Sequence, residues 1–294
     1  MWRSIERAPG PGQDADLLRT LPGRTHLVLD SPHSGTHYPA DFDHACSRAA
    51  LRDAEDTHVE KLFDFCGETG VAWVEALFPR SYLDTNRDLC EIDTTLMHGP
   101  WDGPVPVTAA QQAKVRLGKG LLWRCLDDGT PIYGRLLHPW QVHQRIERCW
   151  QPYHAALAEA IEQAWQRHGG VIHLNCHSMP AVAGALATEH PGVAHPDFVI
   201  GDRDGTTAAP RISAQVADFL RARGHSVSLN HPYKGVELVR RHSDPSRHRH
   251  SLQIEINRRL YMDESTRELH DGAGGLRQTL RALVEHLLAT DPRG

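Results

Sequence analysis

The sequence predicts an α/β fold: one domain over residues 1–294, with a central, mostly parallel or mixed sheet and helices on both faces. Three observations point there. Short apolar runs of strand character alternate with longer stretches of helical periodicity. No internal repeat interrupts that alternation. The chain has 294 residues, of which 40% are hydrophobic and 23% charged, enough for one large core of ordinary composition.

In chain order, residues 1–22 read as a weakly structured lead-in. A first strand over 26–30 breaks at the turn-rich Ser31-Pro32-His33-Ser34-Gly35. Helical spacing of Leu51, Ala54, His58, Leu62 and Phe65 predicts a helix over 47–69 with Ser47 as N-cap. A second strand, 71–75, leads into a polar loop over 80–93 and a Gly- and Pro-rich excursion over 94–106. Helices follow over 107–126 and 139–168, the latter with a kink or break expected near Gln151 because Pro152 sits inside it. Strands are expected at 171–176, 198–201, 226–230 and 252–256, and helices at 210–223 and 275–289. The Arg- and His-rich run 240–250 reads as a solvated loop.

Composition excludes several classes. A net charge of −5 offers nothing to nucleic acid or an anionic membrane surface. No apolar run approaches the roughly 20 residues that span a bilayer, and the first 16 residues lack the apolar core of a secretory signal. The six cysteines stand singly with no Cys-x-x-Cys, which fits a reducing cytoplasm and argues against a zinc knuckle or a disulfide framework. Histidine is the outlier, at 21 residues.

Several histidines fall where strands stop, and in open α/β sheets ligands gather at the carboxyl ends of strands. His33 follows the first strand and His177 the third. A catalytic zinc takes three protein ligands and keeps a position for water. No His-Glu-x-x-His helix motif is present, so the ligands come from distant segments. Asp56 is the chosen carboxylate, with Glu55, His58 and His37 as competitors. Glu255, inside an apolar strand, is a candidate general base, because a buried carboxylate needs a reason to be there; the alternative is a polar outer face of an edge strand. Arg80, Asn86 and Arg87 offer carboxylate and carbonyl partners, the alternative being a surface loop paired with Asp84, Asp88 and Glu91. Arg145 and Lys234 are further cations. Cys176 and His177 point to opposite faces of a strand and cannot form a dyad, and Ser34 and Ser178 lack a Gly-x-Ser-x-Gly elbow.

With these residues in hand, the chain resembles the N-formylglutamate amidohydrolase family over roughly residues 26–265. The likeness lies in ordered blocks: SPHSGTHYPADF (31–42), LRDAEDTHVEKLF (51–63), FPRSYLDTNRD (78–88), PIY (131–133), RIERCWQPYHAAL (145–157), NCHSMP (175–180), HPYKG (231–235) and LQIEINRRLYMDE (252–264). The family resembles a distant branch of the zinc carboxypeptidase and aspartoacylase fold. The resemblance implies one Zn2+ held by His33, Asp56 and His177, Arg80 polarising the scissile carbonyl, Asn86 and Arg87 clamping a substrate carboxylate, and Glu255 as general base and acid. It further implies hydrolysis of a small acidic N-acyl amino acid, N-formyl-L-glutamate first, as the closing step of histidine degradation. The sequence departs from the carboxypeptidase pair His-x-x-Glu: Thr36 stands three residues after His33, so the acidic ligand comes from elsewhere. After HPYKG, where family members continue Gly-rich, stands Val236-Glu237-Leu238. Segments 94–106 and 236–250 are the expected specificity loops. The alternatives are a related N-acyl amino-acid hydrolase of other side-chain preference, a non-haem iron oxygenase using the same ligand set, and a ligand-binding protein without turnover.

Overall fold

The computed structural model describes the backbone of residues 3–4, and residues 17–184 and 191–294 in full. The expected lead-in therefore lies partly outside the described residues. Its last part is a strand. The strands are β1 (Arg3–Ser4), β2 (Leu18–Leu21), β3 (Leu27–Ser31), β4 (Ala72–Ala76), β5 (Val171–Met179), β6 (Phe198–Gly201), β7 (Val227–Leu229) and β8 (Arg249–Asn257). They form one mixed sheet in the order β1-β2-β4-β3-β5-β8-β6-β7. The central four, β4, β3, β5 and β8, run parallel, so their carboxyl ends share one edge. β2 is antiparallel to β4, and β6 to β8.

The helices are α1 (Arg48–Leu51), α2 (Val59–Leu62), α3 (Cys66–Thr69), α4 (Ala109–Arg116), α5 (Pro139–Arg145), α6 (Gln151–His168), α7 (Pro210–Arg221), α8 (Glu237–Arg241) and α9 (Gly272–Leu288). They leave two apolar clusters, one on each face of the sheet. Leu27, Leu29, Leu174, Cys176, Ile254 and Ile256 pack against α7 and α9 on one face. Val28 and Val171 join α6 and the 121–150 segment on the other. Side chains alternate along a strand, so the residues between those apolar ones face the α6 side: Asp30 on β3; His173, Asn175 and His177 on β5; Ser251, Gln253 and Glu255 on β8. All are buried. A register slip of one residue would exchange the polar and apolar sets, so apolar burial on the α7/α9 face also fixes the polar set on the other.

Three helices depart from the periodicity that predicts them. The expected helix over 47–69 keeps its Ser47 cap but is broken in the middle. Glu55 is extended (ψ 146°) and His58 left-handed (φ 68°). The break frees the Asp56 amide to bond the His33 carbonyl at 3.0 Å. Of the expected 107–126 helix only α4 forms. Gly118 (φ +72°) ends it, and the rest folds into a compact turn in which the Arg124 amide bonds the Gly118 carbonyl at 2.8 Å. The 139–168 helix is irregular where expected, next to Gln151, but the chain stays helical. A π turn over Ile146–Trp150 carries it through, with Pro152 in the first turn of α6. Proline lacks the amide that would close a regular α turn there, and a wider turn accommodates its ring. The 240–250 run is more ordered than a solvated loop: Glu237, buried at the start of α8, pairs with Arg240 and Arg241, and Asp88 accepts from Arg240 at 2.9 Å. In the 94–106 excursion, Trp101 stacks on His143 and Asp102 accepts from its Nε2 at 2.8 Å.

The loop after β3 has to press against the end of β4 to bring His33 over the sheet edge. Gly35 makes that approach possible. A Cβ there would stand 2.4 Å from the Leu77 carbonyl carbon and 2.5 Å from Phe78 O, both backbone atoms that cannot swing aside. Gly35→Ala should therefore cost about 1–3 kcal/mol of stability by overpacking, read as a lower urea midpoint. An unchanged midpoint would mean that the loop does not need this contact.

Candidate metal centre and active site

Each part of the parallel edge delivers one piece of the site. The turn after β3 supplies His33, the break between α1 and α2 supplies Asp56, and β5 supplies His177. β5 runs on to Met179, past the expected end at Cys176, so His177 is fixed within the ladder opposite Glu255 of β8. All three triad residues are buried. His33 Nδ1 lies 3.1 Å from His177 Nδ1 and 3.3 Å from Asp56 Oδ2, and His177 Nδ1 lies 2.8 Å from the same oxygen. Among the described residues this is the one group of three or more His, Cys, Asp or Glu able to hold a metal ion.

The far side of each imidazole shows where its proton sits. His33 Nε2 lies 2.7 Å from Asp84 Oδ1. Asp84 also accepts from the Asn86 amide, Arg80 and Trp123 Nε1. Burial opposes the Asp84 charge, but His33, Arg80 and Arg87 outweigh it and hold the carboxyl well below its ordinary range. An ionised carboxylate only accepts, so His33 carries its hydrogen on Nε2. His177 Nε2 meets the Asn175 carbonyl oxygen at 2.7 Å and is protonated for the same reason. When both rings are neutral, as metal-ligating imidazoles are, both Nδ1 atoms are lone pairs, and the Asp56 carboxylate, with Arg80 Nη1 3.4 Å from its Oδ1, is a third acceptor beside them. Three acceptors converge with no hydrogen to share. One proton can bridge two of them, whereas a cation serves all three. The separations suit a metal, since bonds of about 2.0 Å in tetrahedral geometry put ligand atoms about 3.3 Å apart. The second partners of His33 and His177 are those that orient metal-bound imidazoles.

Positive and negative groups surround the triad. Arg80 Nη1 reaches Asp56 Oδ1 at 3.4 Å, while its Nε and Nη2 bond Asp84 Oδ2 at 3.3 and 3.1 Å. Its guanidinium lies over the Trp123 ring, 4.8 Å from the centroid. Arg258, just past β8, has Nη2 3.6 Å from Asp56 Oδ1 and donates to the Glu55 carbonyl at 2.6 Å. Glu255 accepts from Gln253 Nε2 at 2.8 Å. Burial pushes its carboxyl up to about 7; His177 pulls it down, Asp56 adds to the rise, and Arg80 and Arg258 pull it down again. A carboxylate poised near neutrality can take up and release a proton under working conditions. β8 lies between β5 and β6, so Glu255 faces a buried polar wall and not the outer face of an edge strand.

The structure separates the competing ligands. Glu55 turns away from the triad, accepting from Tyr38 Oη at 2.7 Å and Arg52 Nε at 3.1 Å. His58 Nε2 bonds the Arg267 carbonyl at 2.8 Å. Asn86 comes to the triad: its Nδ2 is 3.3 Å from His177 Nε2 and its Oδ1 accepts the Leu238 amide at 2.9 Å. Arg87 donates from Nε and Nη1 to the Lys119 and Asn86 carbonyls, both at 2.9 Å. Two expected cations are not brought to the triad. Arg145 is sealed between the Tyr82 ring, 4.1 Å away, and Tyr133 Oη, which accepts from it at 2.6 Å, so it ties α5 to the neighbouring loops. Lys234 stands exposed, paired with Asp204 at 3.0 Å. Sequence reasoning missed Asn175, Trp123 and Arg258, and named Asp84 only within the alternative of a paired surface loop. For Asn175 a signal was present: His173, Asn175 and His177 alternate through an otherwise apolar strand.

Comparison with known proteins identifies the family. The family model described as N-formylglutamate amidohydrolase matches residues 25–262. The chain is 29% identical to N-formylglutamate deformylase of Pseudomonas aeruginosa, over 93% of this chain and 97% of that protein. It is 26% identical to the Pseudomonas putida protein of the same name, over 91% and 94%. A crystal structure of N-formylglutamate amidohydrolase from Ralstonia eutropha JMP134 superposes with a TM-score of 0.85 at 44% identity, covering 94% of this chain and 99% of that one. The chain belongs to the N-formylglutamate amidohydrolase family.

Proposed function

We propose that this chain hydrolyses N-formyl-L-glutamate to formate and L-glutamate with one zinc ion held by His33, Asp56 and His177. The convergence of three bare acceptors at 2.8–3.3 Å carries the metal part of this reading. The activity named for the Pseudomonas and Ralstonia relatives supports the substrate. Zinc, when bound, supplies Lewis-acid polarisation and lowers the pKa of water. The protein's own groups do the rest. Glu255 takes the proton from the attacking water as its oxygen bonds the formyl carbon. Arg80, held by Asp84 along its Nε–Nη2 edge and by Asp56 at Nη1, offers fixed positive charge to the carbonyl oxygen as that atom becomes negative. When the carbon–nitrogen bond breaks, Glu255 delivers the proton to the departing amine, and formate and the free amino acid leave. Asn86 and Arg87 hold a substrate carboxylate, Arg87 through Nη2. An iron oxygenase built on the same ligands has no use for a carboxylate opposite His177, which favours hydrolysis.

The first turn of the 236–250 segment is tied to this clamp, because the Leu238 amide bonds Asn86 Oδ1. Side-chain preference is therefore set in part by that segment. A panel of N-formyl and N-acetyl amino acids, followed by release of free amine, should show N-formyl-L-glutamate as the best substrate. Activity should vanish with chelator and return with zinc. Absence of hydrolysis of every acidic N-acyl amino acid would remove the proposed reaction. Glu255→Gln should lower kcat by about 10²–10⁴-fold, the usual range for loss of a general acid–base, while metal analysis still finds about one zinc per chain. Full activity in that variant would assign the proton transfer elsewhere.

A further inference from the structure

Behind the triad, on the same face of the sheet, lies a second buried carboxylate that the proposed chemistry does not use. Asp30 of β3 is fully buried. Its Oδ2 accepts from Tyr153 Oη at 2.7 Å. Its Oδ1 accepts from His173 Nε2 at 3.0 Å and from Asn175 Nδ2 at 2.8 Å. Burial opposes the charge, but His173 and the hydrogen bonds from Tyr153 and Asn175 hold the carboxyl below its ordinary range. Asp30 is thus an acceptor on both oxygens. Asn175 has to turn its amide nitrogen towards it and its oxygen away, and that oxygen meets His177 Nε2 at 2.7 Å.

His177 Nε2 also has a neighbour of opposite character. Asn86 Nδ2, a donor, lies 3.3 Å away. Asn86 cannot easily turn over, because its oxygen is committed to the Leu238 amide at 2.9 Å. The two amides favour opposite tautomers. Asn175 asks for a hydrogen on Nε2, whereas Asn86 asks for a bare Nε2, which moves the hydrogen to Nδ1 and closes the metal position. Asp56, 2.8 Å from Nδ1, also accepts a hydrogen there while no cation is bound. The orientation of Asn175 is what favours Nε2 against both, and that orientation is held from behind by Asp30.

We infer that Asp30, without touching the metal group, acts through the Asn175 amide to keep the His177 proton on Nε2 and so leaves the Nδ1 lone pair open to the cation. This positioning role rests on the metal reading above. Removing either residue should weaken zinc binding by roughly 10–100-fold, the usual effect of losing an outer partner of a metal-bound imidazole. The two losses should not multiply, because both act through one bond.

The test is zinc affinity by chelator competition in wild type, Asp30→Ala, Asn175→Leu, the double variant and Asp30→Asn, with melting curves to establish folding. Asp30→Ala and Asn175→Leu should each lose roughly 10–100-fold. The double variant should stay within about threefold of Asn175→Leu. Asp30→Asn keeps an acceptor for Asn175 and can donate to Tyr153 Oη, so it should stay within about threefold of wild type. Losses that multiply, or wild-type affinity in a folded Asp30→Ala or Asn175→Leu, would overturn the inference. A second readout needs no metal. In histidine-¹⁵N-labelled, metal-free protein at pH 8, with His177 assigned by comparison with His177→Gln, Nε2 should carry a proton in wild type and lose it in Asp30→Ala. A bare Nε2 in wild type overturns the inference even if Asp30→Ala does not fold. If wild type binds no zinc but its Nε2 is protonated and that proton is lost in Asp30→Ala, the proposed function fails and the tautomer role of Asp30 stands.

Discussion

Three buried hydrogen-bond acceptors face one another at His33, Asp56 and His177, and the surrounding structure is arranged to keep them bare. Two imidazole nitrogens about 3 Å apart beside a carboxylate repel unless positive charge stands between them. The protein maintains this by committing every competing hydrogen elsewhere. Asp84 holds the His33 proton, the Asn175 oxygen holds that of His177, and Arg80 and Arg258 balance Asp56 from outside the ring of ligands. In the proposed reading, a site built this way is prepared for a metal before the metal arrives.

The fold makes such an arrangement tolerable inside a sheet. β3, β5 and β8 are apolar on the face packed by α7 and α9, and that burial fixes the register. The opposite face can then carry Asp30, His173, Asn175, His177, Ser251, Gln253 and Glu255 side by side. They satisfy one another: His173 Nδ1 with Ser251 Oγ at 2.7 Å, Gln253 with Glu255 at 2.8 Å, and Asn175 with Asp30 at 2.8 Å. A polar layer within a core is stable only when its members are paired in this way. The parallel run of β4, β3, β5 and β8 places their carboxyl ends together, where loops from far-apart segments can meet.

Strands and fold class are legible in the sequence because apolar runs between turn residues have few other readings. The breaks in helices are not. Leu51, Ala54, His58, Leu62 and Phe65 keep helical spacing even though Glu55 and His58 leave the helix to free Asp56, and periodicity alone cannot register a local bond such as Asp56 N–H to His33 O. Asp84 is illegible for a different reason: a loop rich in Arg and Asp looks like a salt-bridged surface, and only the fold buries it. Arg145 shows the converse, a cation that reads as a ligand partner and serves as a strut between aromatic rings. The histidines at strand ends are the most readable part of the site, since strand termini at a parallel edge are where function gathers.

What would unite the triad, its outer partners and Glu255 in the proposed reading is a cation between the two Nδ1 atoms. Diffraction from zinc-equilibrated crystals, collected on both sides of the zinc absorption edge, locates that ion without reference to activity. A single anomalous peak is expected within bonding distance, about 2.0–2.2 Å, of His33 Nδ1, His177 Nδ1 and an Asp56 oxygen. A map with no peak there, or with the metal on an Nε2 atom or on Glu55, would contradict the site and the chemistry built upon it.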